Sequence, residues 1–299
     1  MKSGGCVSTV RSSSKPNWLK IKIPGGKNYR QLKSIVNEYH LHTVCQSARC
    51  PNMEDCWSRQ TATIMILGDI CTRSCSFCAI KTGRPRPTDK EEPQRVAKAV
   101  KLMNLNHVVI TSVDRDELTD GGASIWADTI NAIRQSIPLC TIETLIPDFQ
   151  GSQQALQTVL NAAPDILAHN LETIPRLYRQ IRPQADYIQS LQVLQRAHKQ
   201  GFRTKTGIMA GLGETNEEIL QLMDDALAYG ADIFTIGQYL QPTSTHWPVH
   251  RYVTLAEFEN YRAYGLKKGF LTVESGPLVR SSYHAEEQVL SISSESAAQ

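Results

Sequence analysis

The feature of this sequence that most constrains its fold is a repeated alternation between short apolar runs and longer stretches with helical periodicity. Six apolar runs rich in β-branched residues follow one another from Thr61, and a seventh begins at Phe270. Their length and composition suit buried strands. Two of the helical stretches between them end at Gly201 and Gly230, as C-terminal caps commonly do. Because hairpin signals are few, the alternation predicts parallel strands joined by helices.

The number of strand–helix units distinguishes between the folds that such an alternation permits. About six complete units are too few for a closed eight-unit barrel, so we expect an α/β fold with a partial, open (β/α)6 TIM-like barrel of parallel strands. An open doubly wound sheet is the alternative. The predicted barrel core covers 61–276, with a flexible tail over 1–29, a segment over 30–60 and a C-terminal segment over 277–299. In either fold we expect functional residues beyond the C-terminal ends of the strands.

Charge and composition argue against several classes of function. Lys and Arg number 32 against 29 acidic residues, and a net charge of +3 is too small to indicate binding to nucleic acid. No apolar run approaches the ~20 residues of a membrane span, and the first residues lack the apolar segment of a secretory signal. We therefore expect a cytoplasmic protein, in which clustered cysteines are more often metal ligands or catalysts than disulfide partners.

Six of the eight cysteines fall into two triplets in one short part of the chain. Thiolates are soft ligands that select zinc, copper(I) or iron–sulfur clusters. The first triplet has C-x4-C-x5-C spacing and comprises Cys45, Cys50 and Cys56. The second triplet has C-x3-C-x2-C spacing, follows the first predicted strand, and comprises Cys71, Cys75 and Cys78.

Three thiolates from one loop favour an iron–sulfur cluster over zinc at the second triplet. A structural zinc ion usually takes four ligands, whereas a [4Fe–4S] cluster held by three cysteines leaves one iron open to another molecule. A zinc site completed by a distant His or Cys, and chance clustering in a loop, are the alternatives. At the first triplet the alternative is a zinc site that includes His40 or His42.

The second triplet, with Phe77 before its last cysteine, resembles the signature of radical S-adenosylmethionine (SAM) enzymes. The resemblance implies a [4Fe–4S] cluster on this triplet whose open iron binds the amino and carboxyl groups of SAM. In that superfamily the cluster supplies an electron, SAM is cleaved, and a 5′-deoxyadenosyl radical abstracts hydrogen from an unactivated carbon. The protein's part is to bind the cofactor and to exclude side reactions.

Both triplets and several further motifs resemble lipoyl synthases over about residues 30 to 285. The motifs include HTVCQSARCPNMEDCW, TATIMILGDICTRSCSFCAI, VDRDELTDGGA, HNLETIPRLY and RSSYHA. The resemblance implies that the first triplet binds an auxiliary [4Fe–4S] cluster, with Ser282 as its fourth ligand and Ser281 as the alternative. A hydroxyl is a poor match for a soft iron–sulfur site. Such a ligand suits the implied role of this cluster, which is sacrificed as the sulfur donor.

Polar residues after the second predicted strand are candidates for binding SAM. By position and by resemblance, the segment VDRDELTDGGA receives the methionine amino and carboxyl groups, and the candidates are Asp114, Arg115, Asp116 and Gly121. The alternative is a solvated acidic loop in which Asp120 caps the following helix.

Three further candidates for SAM binding come from later units. Glu143 and Asn170 lie on the third and fourth predicted strands, where polar side chains need partners or face a cavity. Their alternative is hydrogen bonding to a neighbouring strand. Arg182 is suited to pair with the methionine carboxylate, and its alternative is a surface helix cap. The segment TGIMAGLGET lacks a phosphate-loop pattern, so we do not expect it to bind phosphate. Its two remaining interpretations are a backbone that approaches the adenine of SAM closely and a strand-to-helix turn capped by Thr215.

The function implied by the resemblance is insertion of two sulfur atoms, at C6 and C8, into an octanoyl chain on a carrier-protein lysine. The implied partners are octanoylated lipoyl-carrier domains, namely the E2 subunits of 2-oxoacid dehydrogenases and the H protein of glycine cleavage. A reductant such as ferredoxin or flavodoxin and an iron–sulfur carrier for cluster repair are also implied. The alternatives are another radical sulfur-insertion enzyme, of the biotin-synthase kind, and a zinc-stabilised binding module without catalysis. We expect no nucleic acid and no membrane partner.

Overall fold

The structure is a computed structural model that describes residues 16–19, 25–48, 50–59, 61–283 and 285. Most of the predicted tail over 1–29 and the end of the segment over 277–299 lie outside these residues. The strands are β1 (His42–Thr43), β2 (Thr63–Ile66), β3 (Ile70–Cys71), β4 (Lys81–Thr82), β5 (His107–Ser112), β6 (Thr141–Leu145), β7 (Ile166–Ala168), β8 (Arg203–Ala210), β9 (Ile233–Gln238) and β10 (Thr272–Gly276).

Helices follow most of the strands. They are α1 (Lys27–Glu38), α2 (Val44–Ser47), α3 (Met53–Ser58), α4 (Glu92–Leu102), α5 (Ala123–Ser136), α6 (Gln153–Asn161), α7 (Pro175–Ile181), α8 (Tyr187–His198), α9 (Asn216–Ala228) and α10 (Leu255–Lys268). Short 3-10 turns cover Asn17–Leu19 and Phe149–Gly151. In the part of the chain that the structure describes, no helix is long and apolar enough to cross a membrane.

Eight of the strands form one sheet in the order β1-β2-β5-β6-β7-β8-β9-β10. The strands from β2 to β10 are all parallel to one another, and β1 pairs with β2 in the antiparallel direction. The order follows the chain without reversal, so right-handed crossovers place every connecting helix on the same face. A doubly wound sheet would reverse its strand order. The prediction of a partial barrel with six strand–helix units and a final strand is therefore confirmed.

The barrel is open because, among the described residues, its two edges do not pair with each other. One edge is β2 with the short strand β1, and the other edge is β10. We call the gap between these edges the seam. Apolar residues fill the space between the sheet and the outer helices in two clusters, one under α1, α4, α5 and α6 and the other under α7 to α10.

Several helix ends follow the signals read in the sequence. Thr215 accepts a hydrogen bond from the backbone of Glu218 and caps α9, which confirms the capped turn in TGIMAGLGET. Gly201 and Gly230 both have a left-handed φ of +84° just beyond α8 and α9, as the predicted C-terminal caps require. Strand β7 is shorter than its apolar run, so Asn170 lies beyond the strand and not on it.

Candidate active site

The second cysteine triplet lies on a loop at the C-terminal end of β2. Cys71 is on β3, which pairs with β4 on the far side of the loop in the register Cys71 to Thr82. The loop is fastened to later units, because Ser76 N donates to the carbonyl of Ile181 at 2.9 Å and Trp247 N donates to the carbonyl of Ser76 at 2.9 Å. The small strand pair and these bonds hold the three cysteines at the mouth of the barrel, where we expected them.

The three thiols of this loop are partly buried, and the charge of Cys75 acts on both Cys71 and Cys78. Burial raises the pKa of both Cys71 and Cys78 to about 12, and nearby negative charge adds to the effect, from Asp114 at Cys71 and from Cys75 at Cys78. Burial also raises the pKa of Cys75. Thiols of this kind ionise and become good ligands when a cation offsets their charge, so this donor set fits a soft metal such as the iron of an iron–sulfur cluster.

A cluster of four irons and a single metal ion place different demands on a set of three thiols. Among the described residues, no three His, Cys, Asp or Glu side chains converge on the position of one metal ion. A [4Fe–4S] cluster takes each thiolate on a different iron. Its ligands therefore surround a volume and do not have to meet at a point.

Arg73, inside the cysteine loop, holds the loop to the neighbouring strand ends. Its side chain is almost fully buried and faces three carboxylates. Nε lies 2.7 Å from Asp116 and 3.3 Å from Asp114, and Nη2 lies 2.6 Å from Asp148. Although burial alone would raise it, hydrogen bonding and charge from Arg73 lower the pKa of Asp148 to about 2. The sequence analysis did not identify Arg73 or Asp148, since Asp148 is distant in sequence and nothing in its local pattern marks it.

Asp114 and Asp116 were candidates for binding SAM. In the structure, both carboxylates form ion pairs with Arg73. Asp114 also donates its backbone N–H to Cys71 Sγ at 3.3 Å, and Arg73 N donates to the same sulfur at 3.4 Å. Hydrogen bonds to cluster sulfurs are one means by which proteins set reduction potentials. Both aspartates thus have a visible role in fixing Cys71, and a contact with SAM stays a prediction.

Arg115 and Gly121, from the same segment, also contact protein groups. Arg115 donates to the carbonyl of Leu67 at 3.0 Å and to the carbonyl of Arg86 at 2.8 Å. Gly121 has a left-handed φ of +60°, and a Cβ there would meet the Phe149 ring at 3.0 Å. Asp120 accepts from the backbone N–H groups of Gly122 and Ser124 and so bonds to the first turn of α5, although the N-cap residue is Gly122 and not Asp120 as the alternative had it.

Glu143 is on β6, as predicted, and its carboxylate has an internal partner. Lys205 on β8 donates from Nζ to both carboxylate oxygens at 2.9 and 3.0 Å, and neither side chain is exposed. Glu143 therefore makes the hydrogen bond to another strand that the sequence analysis gave as the alternative to SAM binding. The pair bridges the barrel interior, so a SAM contact by Glu143 would have to share the carboxylate with Lys205.

Arg182 is buried, so the alternative of a surface helix cap is wrong. Nη1 donates to the carbonyl of Asn170 at 2.9 Å and to the Tyr178 hydroxyl at 2.8 Å. Its Nε atom has no partner among the described residues, and neither has Asn170 Oδ1. The residue before Arg182, Ile181, accepts from Ser76 N of the cysteine loop. The charge of Arg182 lowers the pKa of Cys75 against the larger effect of burial.

Five of the eleven buried polar atoms without a partner among the described residues belong to the segments that follow β6 and β7. Buried atoms without a hydrogen-bond partner in the described part of the chain include Asp148 Oδ2, His169 Nε2, Asn170 Oδ1, Thr173 Oγ1 and Arg182 Nε. These residues follow β6 and β7 at the mouth of the barrel. A buried polar group without a partner costs about 1–3 kcal/mol, so such a group of atoms indicates a polar ligand.

The first cysteine triplet lines a second pocket, at the seam. Its lining combines the N-terminal segment, the start of β2 and the residues after β10: Cys45, Cys50, Asn52, Cys56, Thr61, Thr63, Arg280, Ser282 and Tyr283. Ser282 Oγ accepts from Thr63 Oγ1 at 2.8 Å. Ser281 is not among the lining residues, so of the two serines the structure brings Ser282 to the cysteines.

Electrostatics around this pocket resemble those of the cysteine loop. Burial raises the pKa of Cys45 to about 11, and the charge of Cys50 adds to the effect. Burial raises the pKa of Cys50 against the opposing charge of Arg280. His40 and His42 line a different cavity with Asp69 and Arg86, so the structure does not bring them to this triplet as zinc ligands.

The tethers that close this pocket join chain segments far apart in sequence. Asn52 Nδ2 donates to the carbonyl of Leu278 at 2.6 Å. With the Thr63–Ser282 contact, this bond connects the β2 edge of the barrel to the segment that follows β10. The pocket therefore spans the seam, and the sequence analysis missed Asn52 and Thr63 as parts of it, whereas Arg280 belongs to the RSSYHA motif.

Comparisons with known proteins place this chain and its fold in a class. The family model of the radical SAM superfamily matches residues 65–226. Methylornithine synthase has the same fold, with a TM-score of 0.53 and 16% identity over 83% of this chain and 82% of its own. The chain belongs to the radical SAM superfamily.

Closer relatives identify the family within that class. The family model for the N-terminal domain of lipoyl synthase matches residues 8–50. The lipoyl synthase of Rubrobacter xylanophilus is 57% identical over 92% of this chain and 86% of its own length. The mitochondrial lipoyl synthase of Nematostella vectensis is 54% identical over 92% of this chain and 95% of its own. The chain belongs to the lipoyl synthase family, and it is a radical SAM sulfurtransferase.

Proposed function

We propose that this protein inserts two sulfur atoms, at C6 and C8, into an octanoyl chain that is attached to a carrier-protein lysine. The observation that carries the proposal is the presence of two separate three-cysteine sites in one open barrel. One is the loop at the barrel mouth and the other is the pocket at the seam. A radical-generating site needs only one triplet, so the second is available as a source of sulfur.

The loop site is proposed to bind a [4Fe–4S] cluster through Cys71, Cys75 and Cys78. When bound, this cluster and SAM supply the radical that removes hydrogen from the octanoyl chain. Arg73 and its carboxylates hold the loop, and the backbone N–H groups of Arg73 and Asp114 donate to Cys71 Sγ. Arg182 and Asn170 offer a buried donor and a buried acceptor to the methionine part of SAM.

The seam site is proposed to bind an auxiliary [4Fe–4S] cluster through Cys45, Cys50, Cys56 and Ser282. The donor set consists of three thiols and one hydroxyl; burial raises the pKa of Cys45 and of Cys50, and Arg280 lies beside them as a balancing charge. A hydroxyl binds a soft cluster iron weakly, so the fourth position can be released while the three cysteines hold the remainder. Such a ligand set suits a cluster that gives up sulfur.

The proposed partners follow from this reaction. The substrate is an octanoylated lipoyl-carrier domain, from a 2-oxoacid dehydrogenase E2 subunit or the glycine-cleavage H protein. An electron donor such as ferredoxin or flavodoxin reduces the loop site, and an iron–sulfur carrier rebuilds the seam site after turnover. The cytoplasmic location expected from the sequence stays a prediction.

Iron counting on reconstituted protein tests the two-site proposal. We expect about eight irons per chain in the wild type and about four in the variant Cys45→Ala/Cys50→Ala/Cys56→Ala. That variant should still cleave SAM to 5′-deoxyadenosine and should form no lipoyl product. Cys140→Ala is the matched control, because Cys140 is a buried cysteine outside both sites and should leave about eight irons.

The serine ligand is tested by a pair of neighbouring variants. Ser282→Ala should weaken retention of the auxiliary irons during gel filtration, whereas Ser281→Ala should behave as wild type. Iron near four in the wild type, with zinc bound in addition, would contradict the auxiliary cluster. A lipoyl product formed at the wild-type rate by the triple cysteine variant would contradict the sulfur-donor role.

A further inference from the structure

The segment that follows the cysteine loop carries an unusual concentration of positive charge. We call residues 81–90 the basic arm. Its four cations are all exposed, and they are Lys81, Arg84, Arg86 and Lys90. None of them forms an ion pair with a carboxylate within the described part of the chain. With Asp89 counted, the net charge of the arm is +3, which equals the net charge of the whole chain.

The basic arm is rigid, although its side chains are exposed. Pro85 and Pro87 fix their own φ angles and restrict the residues before them. The guanidinium of Arg115 donates to the carbonyl of Arg86 at 2.8 Å and anchors the middle of the arm. At the C-terminal end, Asp89 pairs with Arg95 at 2.8 Å. Because the backbone of this surface is already fixed, binding a partner does not incur the free-energy cost of ordering a flexible loop.

The basic arm is directly attached to the loop that holds Cys71, Cys75 and Cys78. Gly83 N donates to the carbonyl of Cys71 at 2.9 Å, and Thr82 Oγ1 donates to the carbonyl of Arg73 at 3.0 Å. A protein docked on the arm therefore lies against the backbone of the cysteine loop. The seam pocket is lined by other segments and includes no residue of the arm.

We infer that the basic arm is the docking site for an acidic electron-carrier protein that reduces the cluster of the cysteine loop. This inference rests on the proposed function, which requires an electron at that cluster. One electron passes from the reduced carrier, which is oxidised, to the cluster, which is reduced. Electron transfer falls steeply with distance, so the carrier has to bind beside the loop, and the arm is the charged surface there.

Charge complementarity is the form of recognition that such an encounter needs. Electron-transfer complexes are small and short-lived, and unlike charges speed their formation without making them tight. Four unpaired cations on a fixed backbone meet that requirement. The other candidate partner for the arm is the octanoylated lipoyl-carrier domain, if its surface is acidic. Its acyl-lysine has to reach between the two cysteine sites, and no arm residue lines the seam pocket.

The test compares a charge-reversal variant with a matched control on the fully reconstituted enzyme. The variant is Arg84→Glu/Arg86→Glu, which changes two arm cations that contact neither cysteine site. The control is Lys199→Glu/Lys267→Glu, which makes the same charge change at two exposed lysines after α8 and near the end of α10. Both lysines precede β-strands and so lie at the opposite end of the barrel.

Reduced flavodoxin is the probe, and freeze-quenched electron paramagnetic resonance of the reduced cluster is the readout. At low salt the arm variant should be reduced at least about tenfold more slowly than wild type, because electrostatic steering is lost. The difference should shrink at about 0.5 M salt as the charges are screened. With dithionite, a small reductant, all three proteins should be reduced at the same rate and should form lipoyl product.

Three results would overturn the inference. One is an arm variant that flavodoxin reduces as fast as wild type. Another is an equal loss with flavodoxin and dithionite, which would mean damage to the cluster site. The third is an unchanged rate with flavodoxin but a raised KM for the octanoylated carrier domain under dithionite, which would make the arm a substrate dock. Failure of the proposed function itself would appear separately, as absent lipoyl product with dithionite.

Discussion

Arg73 is the residue on which the geometry of the cysteine loop most depends. Three carboxylates from the loops after β5 and β6 surround its guanidinium, and one of them, Asp148, is fully buried. The planar guanidinium reaches Asp116 through two nitrogens and Asp148 through one of them, a geometry that lysine does not have. A single side chain therefore sets the position of Cys71 relative to two strand ends.

Removing this cation should destabilise the protein strongly. Arg73→Met leaves buried carboxylates without their partner, and we expect the free energy of unfolding to fall by about 3–5 kcal/mol. Urea denaturation measures the change. Arg134→Met is the matched control, because Arg134 pairs with Asp165 at a half-exposed site and should cost less than about 1 kcal/mol. Equal losses in the two variants would contradict the role given to Arg73.

At the scale of elements, the sequence specifies strands better than it specifies the site. The run HVVITSV is long and β-branched, and it forms β5 over His107–Ser112. Strand β1 has only two residues, too few for any periodic pattern, and its pairing comes from tertiary contact with β2. The cysteines can be predicted as site residues because their spacing is a local sequence pattern. Asp148 and Asn52 cannot be predicted in this way, because their partners, Arg73 and Leu278, are brought close only by folding.

The segment after β10 depends on its tether to the N-terminal segment. Asn52→Ala removes the hydrogen bond to the Leu278 carbonyl, worth about 1 kcal/mol. We therefore expect amide hydrogen exchange over 278–283 to become about fivefold faster, as mass spectrometry of peptides would show. Asn28→Ala is the control, since it removes an exposed bond to the Ser58 carbonyl and should not affect 278–283. Unchanged exchange in Asn52→Ala would mean that other contacts hold the segment.

For the whole molecule, two buried histidines predict how stability depends on pH. Burial lowers the pKa of His107 to about 3 and that of His169 to about 4, with nearby cations adding to the effect. The unfolded chain takes up both protons near pH 6.5, and the folded chain does not. Stability is therefore complete above about pH 6.5, and each histidine lowers it by about 1.4 kcal/mol per pH unit as the pH falls. This loss continues down to the folded pKa.

The slope can be assigned to a residue by substitution. His169→Asn should reduce the dependence of the unfolding free energy on pH by about 1.4 kcal/mol per unit between pH 6 and pH 4.5. Its imidazole Nδ1 donates to the Ile146 carbonyl at 2.8 Å, and the asparagine amide can take over that bond. Urea denaturation at several pH values gives the slope. Equal slopes in variant and wild type would mean that folded His169 accepts a proton.

The seam also imposes an order of events during synthesis. The loop with Cys71, Cys75 and Cys78 has its main charged neighbours, Arg73, Asp114 and Arg182, in the first half or so of the barrel. The pocket around Cys45 lacks one wall until the turn after β10 has left the ribosome, because Ser282 and Arg280 supply that wall. A nascent chain thus exposes its first cysteine triplet for almost the whole of translation, and this site can be completed only after the barrel has been made.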